Sequence, residues 1–153
     1  MFSRIKNRAQ GTTEYLIILA IVIVIALVVV GVLGGFPRIG ANIGEGQSKT
    51  YWSSVQPLSL IEWKVGAGSS GSLVFQNQTA NAITLETVTW DTNTVTVSQS
   101  IGPGSKYTVT SSSIRCSPAG QPFSRNMAYN YSTTNLSDID FNGSSPVVGN
   151  CQG

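Results

Sequence analysis

Residues 14–35 read Glu14-Tyr15-Leu16-Ile17-Ile18-Leu19-Ala20-Ile21-Val22-Ile23-Val24-Ile25-Ala26-Leu27-Val28-Val29-Val30-Gly31-Val32-Leu33-Gly34-Gly35. From Leu16 to Leu33 there are 18 residues without a charged or uncharged-polar side chain, and eleven of them are Ile or Val. Wound as a helix at about 1.5 Å per residue, the run is about 27 Å long, close to the hydrocarbon thickness of a bilayer. The core helix of a soluble protein can be as apolar. The rest of this 153-residue chain, however, carries too little apolar mass to surround such a helix. The run therefore predicts a membrane-crossing helix.

Upstream, Arg4, Lys6 and Arg8 precede the run with no acid among them, which places the N-terminus in the cytoplasm and the remainder outside. From Gln10 onward there are six basic and seven acidic residues, so the formal charge of +2 and the pI near 8.7 come from the leader. Nucleic-acid binding would need basic residues clustered on a folded surface, and this distribution argues against it. A secretory signal peptide is the rival reading. Its apolar region is shorter, about 7–15 residues, and a small-residue cleavage site follows it. Here only Val32-Leu33-Gly34 offers such a site. Arg8-Ala9-Gln10-Gly11-Thr12-Thr13-Glu14-Tyr15 is also a polar prelude that a plain signal peptide does not need. It sets the Glu14 carboxylate beside the apolar run. A charge costs about 2.5–3.5 kcal/mol at the centre of a spanning helix and less near the interface, so Glu14 calls for a partner.

Ala9 followed by Gln10-Gly11-Thr12-Thr13-Glu14-Tyr15-Leu16 resembles the class III signal peptide of archaeal type IV pilins. The resemblance covers about the first 30 residues. It implies that a membrane prepilin peptidase cuts between Ala9 and Gln10 and leaves the apolar helix on the mature protein. Gln10, Gly11, Thr12 and Glu14 are then the residues of peptidase recognition and assembly. That family usually has Ser where Thr12 stands, and Thr12 keeps the hydroxyl. After cleavage Gln10 would carry a new α-amino group, unless it cyclises, and Glu14 of a neighbouring subunit could meet it and fix the axial register. The alternative for Glu14 is a first-turn acid favoured by the helix dipole. The further partners implied are a pilus assembly ATPase and its membrane platform. Gly31 and Gly35 are spaced for close helix approach, but glycines at a helix end are also breakers, and Phe36-Pro37 follows.

Beyond Pro37 the helix is expected to resume after a kink and to run to about Ser54, with Tyr51-Trp52 plugged into the base of a head domain. The implied division is a leader at 1–9, an apolar helix and neck at 10–54, and a head at 55–153. Of the 107 residues from Gln47 to Gly153, 46 are Ser, Thr, Asn or Gln. Apolar and aromatic residues nonetheless recur among them in short alternating runs, so the segment reads as folded β structure rather than disorder. Strands are expected at 58–65, 72–77, 83–90, 94–98, 106–110, 123–131 and 138–141, with turns at Asp91-Thr92-Asn93 and Gly102-Pro103-Gly104. The fold class is α+β, a long apolar helix followed by an all-β head. Strands of this length and spacing suggest a sandwich, with an immunoglobulin-like arrangement as one form.

Cys116 and Cys151 are the two cysteines, and in an exported head they are expected to form a disulfide. There is no His, no G-x-S-x-G elbow and no phosphate-binding glycine loop, so neither an enzyme nor a cofactor is expected. Asp138-Ile139-Asp140-Phe141-Asn142-Gly143 opens like a calcium loop, which would make Asp138, Asp140 and Asn142 ligands. Position twelve of that loop is Gly149 where a Glu is needed, and Asn142-Gly143 reads better as a solvated tight turn. Asn77, Asn130, Asn135 and Asn142 head N-glycosylation sequons that matter only if the chain is exported, with Asn135 and Asn142 favoured. Three functions stay open at this point. One is a subunit that polymerises into an extracellular adhesion pilus, after a precursor stage in the cytoplasmic membrane. The others are an anchored surface binding module that never polymerises and a pseudopilin of a secretion apparatus.

Overall fold

The computed structural model describes the backbone of residues 6–32 and 37–153, and side chains at 11–29 and 44–153. The chain divides between Ile39 and Gly40 into two compact units, each described by itself.

The first unit is dominated by helix α1, Lys6–Val32. Ile and Val are middling helix formers in water because they lose χ1 freedom. In an apolar medium the preference that matters is different, since a helix satisfies every backbone N–H and C=O within its own segment. Gly11–Val29 is long and apolar enough to cross a membrane. The fold class is thus α+β, an apolar N-terminal helix followed by a mainly antiparallel β domain. Gly35 and the kink expected before Pro37 fall at residues 33–36, outside the described residues, as do Met1 to Ile5.

Helix α2, Pro37–Ser54, ends where the sequence predicts. Pro37 suits the first helical position, where its missing N–H would lack a partner anyway. Glu45 and Lys49 pair one turn apart at 2.9 Å. At the far end the Ser53 and Ser54 hydroxyls donate back to the carbonyls of Thr50 and Tyr51, at 3.1 and 2.8 Å. Pro57 follows and cannot continue a helix.

Nine strands follow: β1 Leu58–Lys64, β2 Gly71–Asn77, β3 Ile83–Trp90, β4 Asn93–Ile101, β5 Lys106–Ser111, β6 Pro122–Arg125, β7 Met127–Ser132, β8 Ile139–Asn142 and β9 Val147–Asn150. They form a three-stranded sheet β1-β2-β5, a four-stranded sheet β4-β3-β7-β8 and the pair β6-β9. All six strand pairings are antiparallel. The two larger sheets face each other. Phe75 of β2 meets the Tyr129 ring of β7 edge-on at 5.9 Å, and the Tyr129 hydroxyl donates to the Leu58 carbonyl of β1 at 3.1 Å. This strand order is that of an immunoglobulin-like sandwich whose fourth strand pairs with the third rather than the fifth.

Four features depart from the sequence reading. The apolar alternation expected from 123 to 131 belongs to two strands in different sheets. The chain breaks at Asn126, whose carbonyl accepts the Asp91 N–H at 2.8 Å. Strand β9 carries too short a pattern to be seen from sequence and is fixed by pairing with β6. Asn142-Gly143 is not a hairpin turn, because β8 pairs with β7 whereas β9 pairs with β6. The β3–β4 hairpin closes one residue earlier than expected, through Asp91-Thr92, with Trp90 opposite Asn93 and Asp91 at φ 58°.

The core lies between the sheets. Leu58, Leu60, Leu73, Phe75, Leu85, Val88 and Trp90 are all buried. In β3 the inward set is Ile83 and Leu85, then Val88 and Trp90, so the period of two slips by one. The register shift between Leu85 and Thr87 absorbs that slip and returns the apolar residues to the core face. Cys116 and Cys151 form a buried disulfide with Cα atoms 5.7 Å apart. Their loop spans 35 residues and encloses β6 to β9.

Candidate functional site

Three regions carry the residues singled out above: the start of α1, the junction of α2 with the β domain, and the outward face of the β7–β8 hairpin.

From Tyr15 to Val29 every large apolar side chain of α1 is exposed, between 41% and 66%. The exposure is on all sides, and no polar stripe from Tyr15 to Val29 is set to face water. Glu14 is exposed at the start of this surface. In α1, Lys6–Val32, Glu14 lies more than two turns from the start, beyond the first turn over which the helix dipole acts. A Cβ added at Gly11 would meet nothing within 4 Å. Glycine in a helix interior costs roughly 0.5–1 kcal/mol relative to alanine, so nothing in the chain itself favours Gly11 here. Thr12 and Thr13 both make interactions. The side chains of Ala9 and Gln10 lie outside the described ones; their backbone is within α1.

Helix α2 meets the β domain along Ser48, Tyr51 and Trp52, spaced i, i+3 and i+4 on one helical face, with Val55 buried just beyond its end. Trp52 is fully buried, with Tyr51 and Phe141 edge-on to it at 5.1 and 6.3 Å. The expected aromatic plug is present. Its receiving groove was not visible in the sequence. A Cβ at Gly143 would lie 2.3 Å from the Trp52 ring, so only glycine lets the backbone pass there. Beyond it the chain crosses from β8 to β9 under the helix. The Ser144 N–H donates to the Tyr51 hydroxyl at 2.8 Å. The buried Ser48 hydroxyl donates to the Pro146 carbonyl at 2.8 Å and accepts the Val148 N–H at 3.1 Å. Sequence reasoning passed over Ser48, although its position one turn before Trp52 put it on the same face.

The four sequons separate sharply. Asn77 is fully buried, and its amide nitrogen donates to the carbonyls of Asn81 and Ile101 at 2.7 and 2.8 Å. Its side-chain oxygen accepts both the N–H and the hydroxyl of Thr79, each at 2.8 Å. In the folded head Asn77 is a buried structural hub, unlike the exposed Asn135 and Asn142. Its Asn-x-Thr pattern is also the signature of a local Asx turn, which is the geometry it adopts. Asn130 and Asn142 lie on the outward face of β7 and β8, and Asn135 is exposed in the loop between them. The Asn130 amide donates to Asp140 at 2.9 Å.

Asp140 and Asn142 are alternate residues of a strand, so their side chains stand about 6.5–7 Å apart along it. A calcium loop needs its oxygens to converge, and an extended strand spreads them. The geometry at Asp138, Asp140 and Asn142 is a strand end with Asp138 at φ 55°, not a cation loop.

Among the described residues of the β domain, Leu136 is the one large apolar side chain reported as exposed, at 64%. No protein-family model matches the chain, and no curated protein is similar to it.

Proposed function

We propose that this chain is the precursor of a structural pilin. On this reading a prepilin peptidase removes residues 1–9, and an ATPase and its membrane platform draw the mature subunits into an extracellular type IV-like adhesion pilus. The observation that carries the proposal is the surface of α1. It is apolar and exposed on every side from Tyr15 to Val29, with a single carboxylate, Glu14, at its start. Lipid covers such a helix before assembly. Outside the membrane nothing but sibling helices can cover it, because exposed apolar area on this scale is costly in water, at about 25 cal/mol per Å².

Glu14 fits the same reading. Inside a helix bundle its charge requires a partner, and the α-amino group of a neighbouring Gln10 is the cation that cleavage would create. That pairing sets one subunit against the next along the axis. Gly11 lies between the two groups, and a position without a side chain allows the close approach that pairing needs. The head suits the outer wall, since it has its own core, a disulfide and a surface nearly free of large apolar groups. The exposed Asn135 and Asn142 supply acceptors for N-linked glycans on that wall, and an intact mass equal to the bare polypeptide would remove this part of the reading.

Mass spectrometry of protein sheared from the cell surface tests the proposal. A mature N-terminus at Gln10, free or cyclised, in a fraction that contains filaments is the expected result. A start at Met1 with monomeric detergent extracts would mean an anchored binding module, and a start near Gly35 a secreted protein. Either would overturn the pilin reading.

A further inference from the structure

A sheet edge presents unpaired N–H and C=O groups, and folded proteins blunt such edges with charges, proline, short strands or covering segments. Six of the nine charged residues beyond Val55 lie in strands, and five of those six are in edge strands: Glu62 and Lys64 in β1, Lys106 in β5, Arg125 in β6 and Asp140 in β8. This charge-poor domain thus keeps its strand charges at its edges. Strand β1 also follows Pro57, and β8 has only four residues. Strand β9 is covered, with its Val148 N–H and carbonyl bonded to Ser48 and Trp63.

Strand β4 breaks the pattern. It is the longest strand, with nine residues, and forms one edge of its sheet. Its sequence, Asn93-Thr94-Val95-Thr96-Val97-Ser98-Gln99-Ser100-Ile101, contains no charge and no proline and is rich in β-branched residues. Asn93, Thr94 and Thr96 are exposed, and Val95 and Val97 half-buried. Among the described residues, no backbone hydrogen bond reaches 93–99 except through the β3 ladder. One blunting device is present. The ladder is interrupted between Thr96 and Gln99, with Ser98 at φ 50°. It limits the regular open edge to Asn93–Val97.

We infer that the edge Asn93–Val97 pairs antiparallel with the same edge of a second copy of this chain. A neutral edge of alternating Thr and Val is self-complementary. Two copies meet without like charges, which two β8 edges with Asp140 could not do. Antiparallel pairing of identical strands is two-fold symmetric. If the pilin reading holds, subunits within one polar filament are related by a screw axis and not by a two-fold. The β4 contact then joins heads of different filaments and bundles them. The edge contact itself does not depend on that reading.

Both cysteines are in the disulfide, so an introduced thiol reports cleanly. The test uses the full chain in detergent. With Asn93–Val97 opposite itself, Thr94 of one copy faces Thr96 of the other, so Thr94→Cys and Thr96→Cys chains are mixed, with Ser137→Cys in the exposed β7–β8 loop as the reference. The expected result is a mixed Thr94→Cys/Thr96→Cys disulfide-linked dimer and none with Ser137→Cys. Adding Asn93→Lys to both chains should abolish that dimer without moving the melting temperature, and adding Glu14→Ala should leave it intact. Cross-linking to Ser137→Cys at an equal level would overturn the inference. So would a dimer between Thr96→Cys and Asp140→Cys chains at the expense of the Thr94→Cys/Thr96→Cys dimer, which would mean head-to-tail pairing of β4 with β8. A dimer retained in the Glu14→Ala background, where assembly through α1 is expected to fail, separates this contact from the filament.

Discussion

The two units of this chain treat apolar surface in opposite ways. In α1 the large apolar side chains from Tyr15 to Val29 are all exposed. In the β domain twenty apolar residues, including both cysteines, are buried in one cluster, with Leu136 outside it. The head thus buries its apolar residues by intramolecular packing, whereas α1 leaves its own exposed. On the pilin proposal, lipid or other copies of the chain cover α1, and mutations should divide accordingly: changes in the helix alter assembly with little effect on the head, and changes in the head alter its unfolding without changing insertion.

The largest effect is expected from Glu14→Ala. On the pilin proposal it removes the one carboxylate at the start of the apolar surface, so insertion and cleavage should persist while filaments are lost. Filament yield by electron microscopy, beside the cleaved mass, reads both outcomes. Normal filaments would mean that apolar packing alone sets the register. In the head, Trp52→Ala should cost about 3–5 kcal/mol, the range for a fully buried aromatic. The low end is favoured because the buried Trp52 indole N–H has no hydrogen-bond partner, and removing it relieves that desolvation. Trp52→Phe should therefore cost much less. Denaturant unfolding followed by near-ultraviolet circular dichroism measures both, and an equal loss for the two variants would show that ring size rather than burial sets the cost.

The disulfide sharpens the comparison next. Replacing Cys116 and Cys151 together with Ser should lower head stability by roughly 3–4 kcal/mol, from the loop entropy returned to the unfolded chain. The α1 signal in far-ultraviolet circular dichroism should not change. The expectation applies equally to reductant added to the unmodified protein. Loss of helical signal on reduction would mean that the two units are energetically coupled.

How much of this was legible follows from the same contrast. An apolar helix is written in consecutive residues, so 16–33 could be read directly, and its described part, 16–32, lies within α1. Helix α2 was legible to its last residue because Pro37 and Pro57 bracket it and Tyr51-Trp52 mark the buried face. Strands β3 and β5 were found to within a residue because their alternation is local. The misses all involve information that is not local. Asn126 switches the chain between sheets through one hydrogen bond to Asp91, a residue distant in sequence. Gly143 looked like a turn residue, but it is there because Trp52 packs against it. Asn77 looked like a surface acceptor, but beyond its local turn with Thr79 and Asn81 its amide reaches the Ile101 carbonyl, a neighbour only when β2 and β4 are in place. The start of α1 is the opposite case: its residues are simple to read, yet the role proposed for them depends on molecules outside the chain.

The smallest effect isolates the head by pH. Tyr129 is buried, and burial raises the pKa of its hydroxyl far above the ordinary tyrosine value near 10. Below pH 10 both the folded and the unfolded states keep this proton, and the group adds no pH dependence. Above about pH 10 the unfolded state releases the proton while the folded state retains it, so stability falls as pH rises, by up to about 1.4 kcal/mol per pH unit. Tyr129→Phe loses the hydrogen bond to the Leu58 carbonyl and should be less stable by about 1–2 kcal/mol at neutral pH. It also loses the alkaline penalty. The gap between the two proteins should therefore narrow above pH 10 and then reverse, while other titrating groups, present in both, cancel. Urea unfolding at pH 7, 9, 10 and 11 reads this directly. A gap that stays constant across the series would mean that Tyr129 ionises in the folded head as readily as in the unfolded chain, and that the sandwich interior at this point is open to water.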